Sequence, residues 1–286
     1  MPSSVKMLNA AGKMFPRVVR RQWPHLKMFA AKALDRHFRD LPAALGALKG
    51  RYAGQRCFIM GTGPSLNRMD LGLFEEEHVW GVNKCYLLFD RIRWRPSFWV
   101  AVDKRVVPDI SREMNSLTRS LPETTFFFPV KFREEWLLQS RSNVYWYSEI
   151  ELEESTPPER MFSTDITKWV SGVRTVTIAA LQLAVYLSFN PIYLIGCDAS
   201  YDVSRTVRTE AGQPDALVST QNDDQNHFDR GYFGRGSKWH EPKVDRMIYH
   251  YEQARKACDA IGVSVYNATF GGNLEVFPRV DYRELF

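Results

Sequence analysis

The residues best placed to do chemistry stand at the ends of apolar runs. Cys57-Phe58-Ile59-Met60 leads directly into Gly61-Thr62-Gly63-Pro64-Ser65, the pattern of a strand turning into a helix. Glycines there let the backbone approach a ligand, and N–H groups opening a helix favour an anionic group such as phosphate. A tight βα turn without a ligand reads the same way. The third glycine of a dinucleotide fingerprint is missing and no G-x-x-x-x-G-K-[ST] occurs, which disfavours an NAD enzyme and a P-loop ATPase. His227, within Asn222-Asp223-Asp224-Gln225-Asn226-His227-Phe228, is a candidate for proton chemistry, because an imidazole suits abstraction of a hydroxyl proton. A solvated loop histidine is the plainer alternative, and His240 and His250 face the same choice. No H-x-x-x-H or carboxylate pairing suggests zinc ligands, and spacing alone does not assign these histidines a role.

These side chains need elements to hold them. From Gln55 onward the chain alternates strand-like and helix-like segments. Strands are expected at 57–60, 78–82, 98–102, 125–130, 143–147, 192–195 and 263–266, with helices at 70–77, 172–189 and 242–261. Such alternation predicts an α/β fold with a mostly parallel, doubly wound Rossmann-like sheet. Ligands of such sheets bind outside the carboxyl ends of the strands. Thr62, Ser65, Asn83, Asp103, Asp198 and Tyr201 all end strands and should gather along one edge. The polar stretch 199–240 is longer than ordinary connections and is expected to be a lid or binding insertion.

Composition bounds the function further. The 286 residues are 44% hydrophobic, 25% charged and 13% aromatic, the profile of a globular chain with a sizeable core. The formal charge of +5 is unevenly spread. Residues 1–51 hold eleven Lys/Arg against Asp35 and Asp40, a balance of +9, which leaves the remainder at −4. Residues 1–50 read as a basic helical arm broken near Pro24, followed by one domain over 51–286. In the arm Met7, Met14, Phe15, Val18, Val19, Met28, Phe29 and Leu34 alternate with Lys13, Arg17, Arg20, Arg21, Lys27 and Lys32. That pattern suits an anionic membrane surface, and equally an arm packing on the main domain or on a second subunit. Nucleic acid is not an expected partner, because no recognised module follows and the rest is net acidic. Cys57, Cys85, Cys197 and Cys258 are far apart and read as buried thiols of a reducing compartment. The longest apolar run, 175–189, would span about 22 Å as a helix, short of the roughly 30 Å of a hydrocarbon core. The N-terminus lacks the apolar core and cleavage site of a secretory signal, so a cytoplasmic protein is expected, peripheral on the inner membrane face if the arm binds lipid.

Several motifs occur in a telling order: Gly61-Thr-Gly-Pro-Ser-Leu66, Trp80-Gly-Val-Asn83, Ser171-Gly172, Ile192-Tyr-Leu-Ile-Gly-Cys-Asp198, Asn226-His227-Phe228 and Tyr266-Asn-Ala-Thr-x-Gly-Gly-x-Leu-Glu275. From about residue 50 to 286 the chain resembles the Rossmann-like family of MptE-like 6-hydroxymethylpterin diphosphokinases and flagellin-modifying motility accessory factors. It is similar also to bacterial lipooligosaccharide sialyltransferases that use CMP-activated nonulosonic acids. The resemblance implies a metal-independent, inverting glycosyltransferase that moves an acidic sugar from a CMP-sugar to a cell-envelope glycan or glycolipid hydroxyl. It implies that Gly61, Thr62, Gly63, Pro64, Ser65 and Asn83 hold the nucleotide, and that Ser171 and Gly172 contact the donor. His227 would be the general base and Tyr201 would hydrogen-bond the leaving phosphate, with Tyr232 as the nearest counterpart of a second loop tyrosine. Asp103 and Asp198 would belong to the substrate site in a structural role, Asp198 by capping or hydrogen-bonding its strand end. Two departures stand out: Thr62 replaces an asparagine, and Tyr201 follows Gly196 by five residues where the sialyltransferases have four. The alternative within the resemblance is a diphosphokinase that transfers pyrophosphate from ATP to a hydroxymethylpterin-like substrate, with Mg²⁺ on carboxylates such as Asp103 and Asp198.

Overall fold

The structure, a computed structural model, describes residues 36–135, 137–152, 156–172, 175–202, 207–210 and 213–286. The chain divides into two units, Met1–Ala47 and Leu48–Phe286. In the first, Arg36–Gly46 form helix α1. The amphipathic pattern expected between Met7 and Leu34 lies outside the described residues.

The second unit alternates strands and helices. In chain order its strands are β1 (Cys57–Met60), β2 (Val79–Val82), β3 (Phe98–Val100), β4 (Thr125–Pro129), β5 (Val144–Tyr147) and β6 (Glu149–Glu151). They continue with β7 (Val170–Gly172), β8 (Ile192–Ile195), β9 (Val207–Glu210), β10 (Gln213–Ser219), β11 (Lys238–His240) and β12 (Val265–Asn267). Its helices are α2 (Val106–Ser120), the single turn α3 (Lys131–Glu134), α4 (Val176–Tyr186) and α5 (Val244–Ala260).

Seven strands form one parallel sheet in the order β12-β8-β1-β2-β3-β4-β5. This is a Rossmann-like α/β fold. β1, β2, β3 and β8 are buried at every position, as expected of parallel strands covered on both faces. α4 is apolar around nearly its whole circumference and buried from Thr177 to Tyr186, which marks a central helix of the core. From β1 the chain builds outward to β5, then returns across the sheet to β8 and β12. The order therefore reverses between β1 and β8, and that crevice is where such folds bind ligands.

Three expectations change. The helix expected at 70–77 is replaced by two short 3-10 turns, Pro64–Arg68 and Leu71–Phe74. The Leu71 carbonyl accepts a hydrogen bond from Trp94 Nε1 at 2.7 Å instead of continuing a helix ladder, and Gly72 has low helix propensity. Helix α2 follows Asp103, whose Oδ1 accepts from the N–H groups of Arg105 and Val106, with Val106, Val107, Ile110 and Met114 buried on one face. The insertion is not mere loop: β9, β10 and β11 form a small antiparallel sheet. Among the described residues no helix is long and apolar enough to cross a membrane.

The glycines after β1 are required by packing. A Cβ at Gly61 would lie 2.4 Å from the Gly196 carbonyl oxygen, and one at Gly63 would overlap the Asp198 carboxylate. Gly61→Ala should therefore cost about 1–3 kcal/mol in urea unfolding, the usual penalty for overpacking. An unchanged midpoint would contradict this close approach.

Candidate active site

The site begins where β1 and β8 end. Asp198 Oδ1 accepts from the Ser65 N–H at 3.1 Å, and its Oδ2 accepts from the Ser65 hydroxyl at 2.7 Å. Burial pushes the Asp198 carboxyl up, while these two bonds and the nearby His227 pull it back. The closing Gly-Gly motif braces the same point. Asn273 N donates to Asp198 O at 2.7 Å, and a Cβ at Gly272 would meet the Asp198 backbone at 2.8 Å. Thr269 Oγ1 accepts from Cys197 N at 3.0 Å.

The turn itself differs from the expected cradle. Gly61 N donates to Ile195 O, Gly63 N to Gly196 O and Ser65 N to Asp198, and Pro64 has no N–H. The following 3-10 turn, Pro64–Arg68, has five residues and supplies no helix terminus of consequence. Among the described residues the Thr62 N–H is the one turn donor without a partner. The expectation of several free N–H groups is thus corrected: the glycines serve contact with β8, which consumes those donors.

The insertion closes on this turn at two points. Phe228 N donates to Thr62 O at 3.0 Å, and Asn67 Nδ2 donates to Phe228 O at 2.9 Å. Lys84, directly after Asn83, donates from Nζ to the Tyr232 carbonyl at 2.7 Å. Its ammonium lies 5.6 Å and 5.5 Å from the ring centroids of Tyr232 and Phe233, a cation–π arrangement. Burial lowers the Lys84 pKa, opposed by Asp109, Asp224 and Glu113.

Between these anchors lies His227, 7% exposed. Its Nδ1 is 2.8 Å from Asp224 Oδ2. Burial pushes the Asp224 carboxyl up, but the His227 contact and the N–H groups of Asn226 and Phe233 outweigh it and hold the carboxyl below its ordinary 3.8. An ionised Asp224 places the proton on Nδ1, leaving Nε2 as the basic nitrogen. The ring lies flat on Tyr232, with centroids 4.0 Å apart and 3° between planes, and Phe233 packs edge-on at 4.9 Å. Tyr201 meets it edge-on at 6.1 Å and is 36% exposed. Burial and the neighbouring Asp224 push the Tyr201 phenol up to about 12, so it stays a proton donor. Burial likewise raises the Tyr232 phenol, opposed first by the Thr62 side chain.

A cavity of about 720 Å³ opens over these strand ends, within the usual range for small-molecule sites. Gly61, Thr62, Gly63, Asn83, Asp198 and Tyr201 line it, and His227, Tyr232, Asp103 and Gly172 do so as well. The structure thus brings together most residues singled out in the sequence. Pro64 and Ser65 belong to the turn but do not line the cavity, Ser65 being consumed by Asp198. Ser171 is fully buried, and its hydroxyl lies 2.7 Å from Met161 O and 2.9 Å from Gln182 Oε1, which share its single proton. Its side chain is turned into the core, so the expected donor contact is not made by that hydroxyl. Asn83 has φ +45°, and its buried Oδ1 has no partner among the described residues. Of the other histidines weighed, His240 lines the cavity beside Arg105, whose Nε donates to His240 Nδ1 at 3.3 Å. The cysteines are free and buried, and burial pushes the Cys197 thiol up to about 12.

Sequence reading missed several residues. Asp224 carries a signal, an acid three residues before the histidine. Lys84, Arg105, Lys131 and Glu149 carry none, because their positions depend on tertiary packing. Among the described residues no three His, Cys, Asp or Glu side chains cluster as metal ligands.

No family model and no curated protein matches the chain. Solved structures similar to it include two transferases. One is the MAf glycosyltransferase of Magnetospirillum magneticum AMB-1, 14% identical over 87% of this chain, with a TM-score of 0.47. The other is the sialyltransferase CstII of Campylobacter jejuni in complex with a substrate analogue, cytidine-5'-monophosphate, 11% identical over 80% of this chain, with a TM-score of 0.39. This chain spans 39% of the length of the first and 85% of the second.

The Asp224 shift has a definite sign. A carboxyl held low in the folded state adds stability above its ordinary value and loses it as pH falls through the lower folded value. The stability difference between wild type and Asp224→Asn should therefore shrink as pH falls below about 3.8. Urea titrations from about pH 5 to about 2 test this, and a gap that does not shrink below about 3.8 would contradict it.

Proposed function

We propose that this protein is a glycosyltransferase that takes an acidic, nonulosonate-type sugar from a CMP-sugar and inverts the anomeric centre. The observation that carries the reading is the Asp224–His227 pair, fixed beside the β1 turn by the Phe228 to Thr62 hydrogen bond. An imidazole oriented by a carboxylate, with Nε2 free of hydrogen-bond partners among the described residues, is built to take a proton.

In this mechanism Nε2 of His227 accepts the proton of an acceptor hydroxyl. The acceptor oxygen bonds to the anomeric carbon from the face opposite the phosphate. The bond from that carbon to the phosphate oxygen breaks, and its electron pair leaves with CMP. The Thr62 N–H and the Tyr201 phenol donate to the growing phosphate charge, where positioned donors count most. Asn83 Oδ1, buried without a partner among the described residues, accepts from the nucleotide. Asp198 orients the turn instead of touching the sugar. Both its oxygens are held by Ser65, which argues against the diphosphokinase alternative, since that reading assigns Asp198 to magnesium. The acceptor on this reading is a cell-envelope glycan or glycolipid, and the +9 segment 1–51 draws the enzyme to anionic lipid.

His227→Ala should lower kcat/KM at least about 100-fold, the weight of general-base help, with CMP affinity retained. Calorimetry of CMP in EDTA supplies the affinity, and turnover that survives the substitution would remove His227 from this role. Deleting residues 1–45 should abolish sedimentation with vesicles containing phosphatidylglycerol, and unchanged sedimentation would refute the anchor.

A further inference from the structure

Among the described residues Lys84 is the one lysine or arginine that is buried, 9% exposed. It stands directly after β2, the strand beside β1. Taking an ammonium out of water is costly unless a carboxylate or several acceptors receive it. Among the described residues no carboxylate lies within ion-pair distance of Lys84, and its Nζ donates to the Tyr232 carbonyl alone. Asp109 and Glu113 of α2 and Asp224 of the insertion act on it from farther away. The rings of Tyr232 and Phe233 cover the rest of the ammonium.

Its position shows what such a charge can act on. Asn83, Tyr232 and Phe233 line the cavity and Lys84 does not, so the ammonium lies just behind the wall. The Tyr232 phenol meets the Thr62 side chain, and the Thr62 N–H is the unpartnered donor of the β1 turn. Asp198 lines the same crevice, and Asp224 stands behind His227. A phosphate entering there meets the negative charge of both, at a turn whose other N–H groups are spent on β8. Lys104 and Arg105 follow β3, and Lys131 follows β4, two and three strands from β1. Each of those cations has a carboxylate within ion-pair distance. Lys84 is both nearer and unneutralised.

A fixed charge behind an aromatic wall keeps its reach, because little water screens it. We propose that Lys84 is the charge-balancing residue of the transfer: from behind the Tyr232–Phe233 wall its ammonium offsets the phosphate charge of the donor and of the departing CMP. It touches no reacting atom and makes or breaks no bond. It lowers the energy of charge that the Thr62 N–H and the Tyr201 phenol bind directly. The Tyr232 carbonyl fixes where the ammonium stands, so no rearrangement is needed as the charge grows. This rests on the transferase reading above.

Calorimetry in EDTA with CMP and with cytidine, which lacks the phosphate, tests this on the full chain and on its Lys84→Met and Lys84→Arg variants. Methionine keeps the apolar length without the charge, and arginine keeps the charge. The ratio of CMP to cytidine affinity should fall at least about fivefold in Lys84→Met and stay within about twofold of wild type in Lys84→Arg. Damage to packing weakens both ligands and leaves that ratio alone. A ratio unchanged in Lys84→Met, or one that falls as far in Lys84→Arg, would overturn the proposal. Should Lys84→Met fail to fold, ¹³Cε–¹H spectra of the wild-type lysines decide, with Lys84 assigned by its loss in Lys84→Arg. Burial lowers the Lys84 pKa, and a phosphate facing the ammonium should raise its titration midpoint on addition of CMP but not of cytidine. A midpoint indifferent to CMP would overturn the proposal equally. CMP that fails to bind wild type removes the nucleotide reading itself, whereas CMP that binds with an unchanged ratio removes Lys84 alone.

Discussion

Asp198 is the residue on which the rest of the site depends. Its carboxylate crosses the point where the strand order reverses and holds both the N–H and the hydroxyl of Ser65. To let it do so, positions 61 and 63 must lack side chains, and Gly196 must adopt φ +63° against Leu66. The cost is functional: a turn that spends its N–H groups on its neighbour has few left for a ligand. Chemistry at this crevice must come from what is added above it.

The insertion supplies that addition. A lone imidazole on a loop would be poorly aimed. Here it is stacked on Tyr232, oriented by Asp224 and tied through the next residue to the β1 turn. Lys84 secures the other side of the same platform from the end of β2. Each strand end thus contributes one constraint, and the imidazole occupies the position they share. Buried polar contacts of this kind are costly when broken singly, which favours one arrangement over many.

Legibility in the sequence followed the range of the interactions. Strands β1, β2, β3, β4, β5 and β8 were readable because parallel strands are continuous apolar runs, and their terminal residues could be expected on one edge. His227 was visible as a candidate, but not its dependence on Lys84, 143 positions earlier. The short helix at 70–77 failed because Trp94, distant in sequence, claims the Leu71 carbonyl. Ser171 is a donor contact only through the family resemblance, which carries no information on where its hydroxyl turns. Only the fold reveals that Gln182, one α4 residue, absorbs its hydroxyl. Glu149 and Lys131 are ordinary surface residues by composition, and the parallel pairing of β4 with β5, Pro129 opposite Tyr147, brings them together.

The central claim is that His227 holds its proton on Nδ1, beside Asp224, and keeps Nε2 for the acceptor hydroxyl of a transfer whose nucleotide sits at the β1–β8 crevice. Long-range ¹H–¹⁵N correlation spectra of the imidazole rings, with the His227 signals assigned by their loss in His227→Gln, test it most directly. The account requires neutral His227 to carry its proton on Nδ1, and both ring nitrogens to shift on addition of CMP. A proton on Nε2, or ring signals indifferent to CMP, would contradict it.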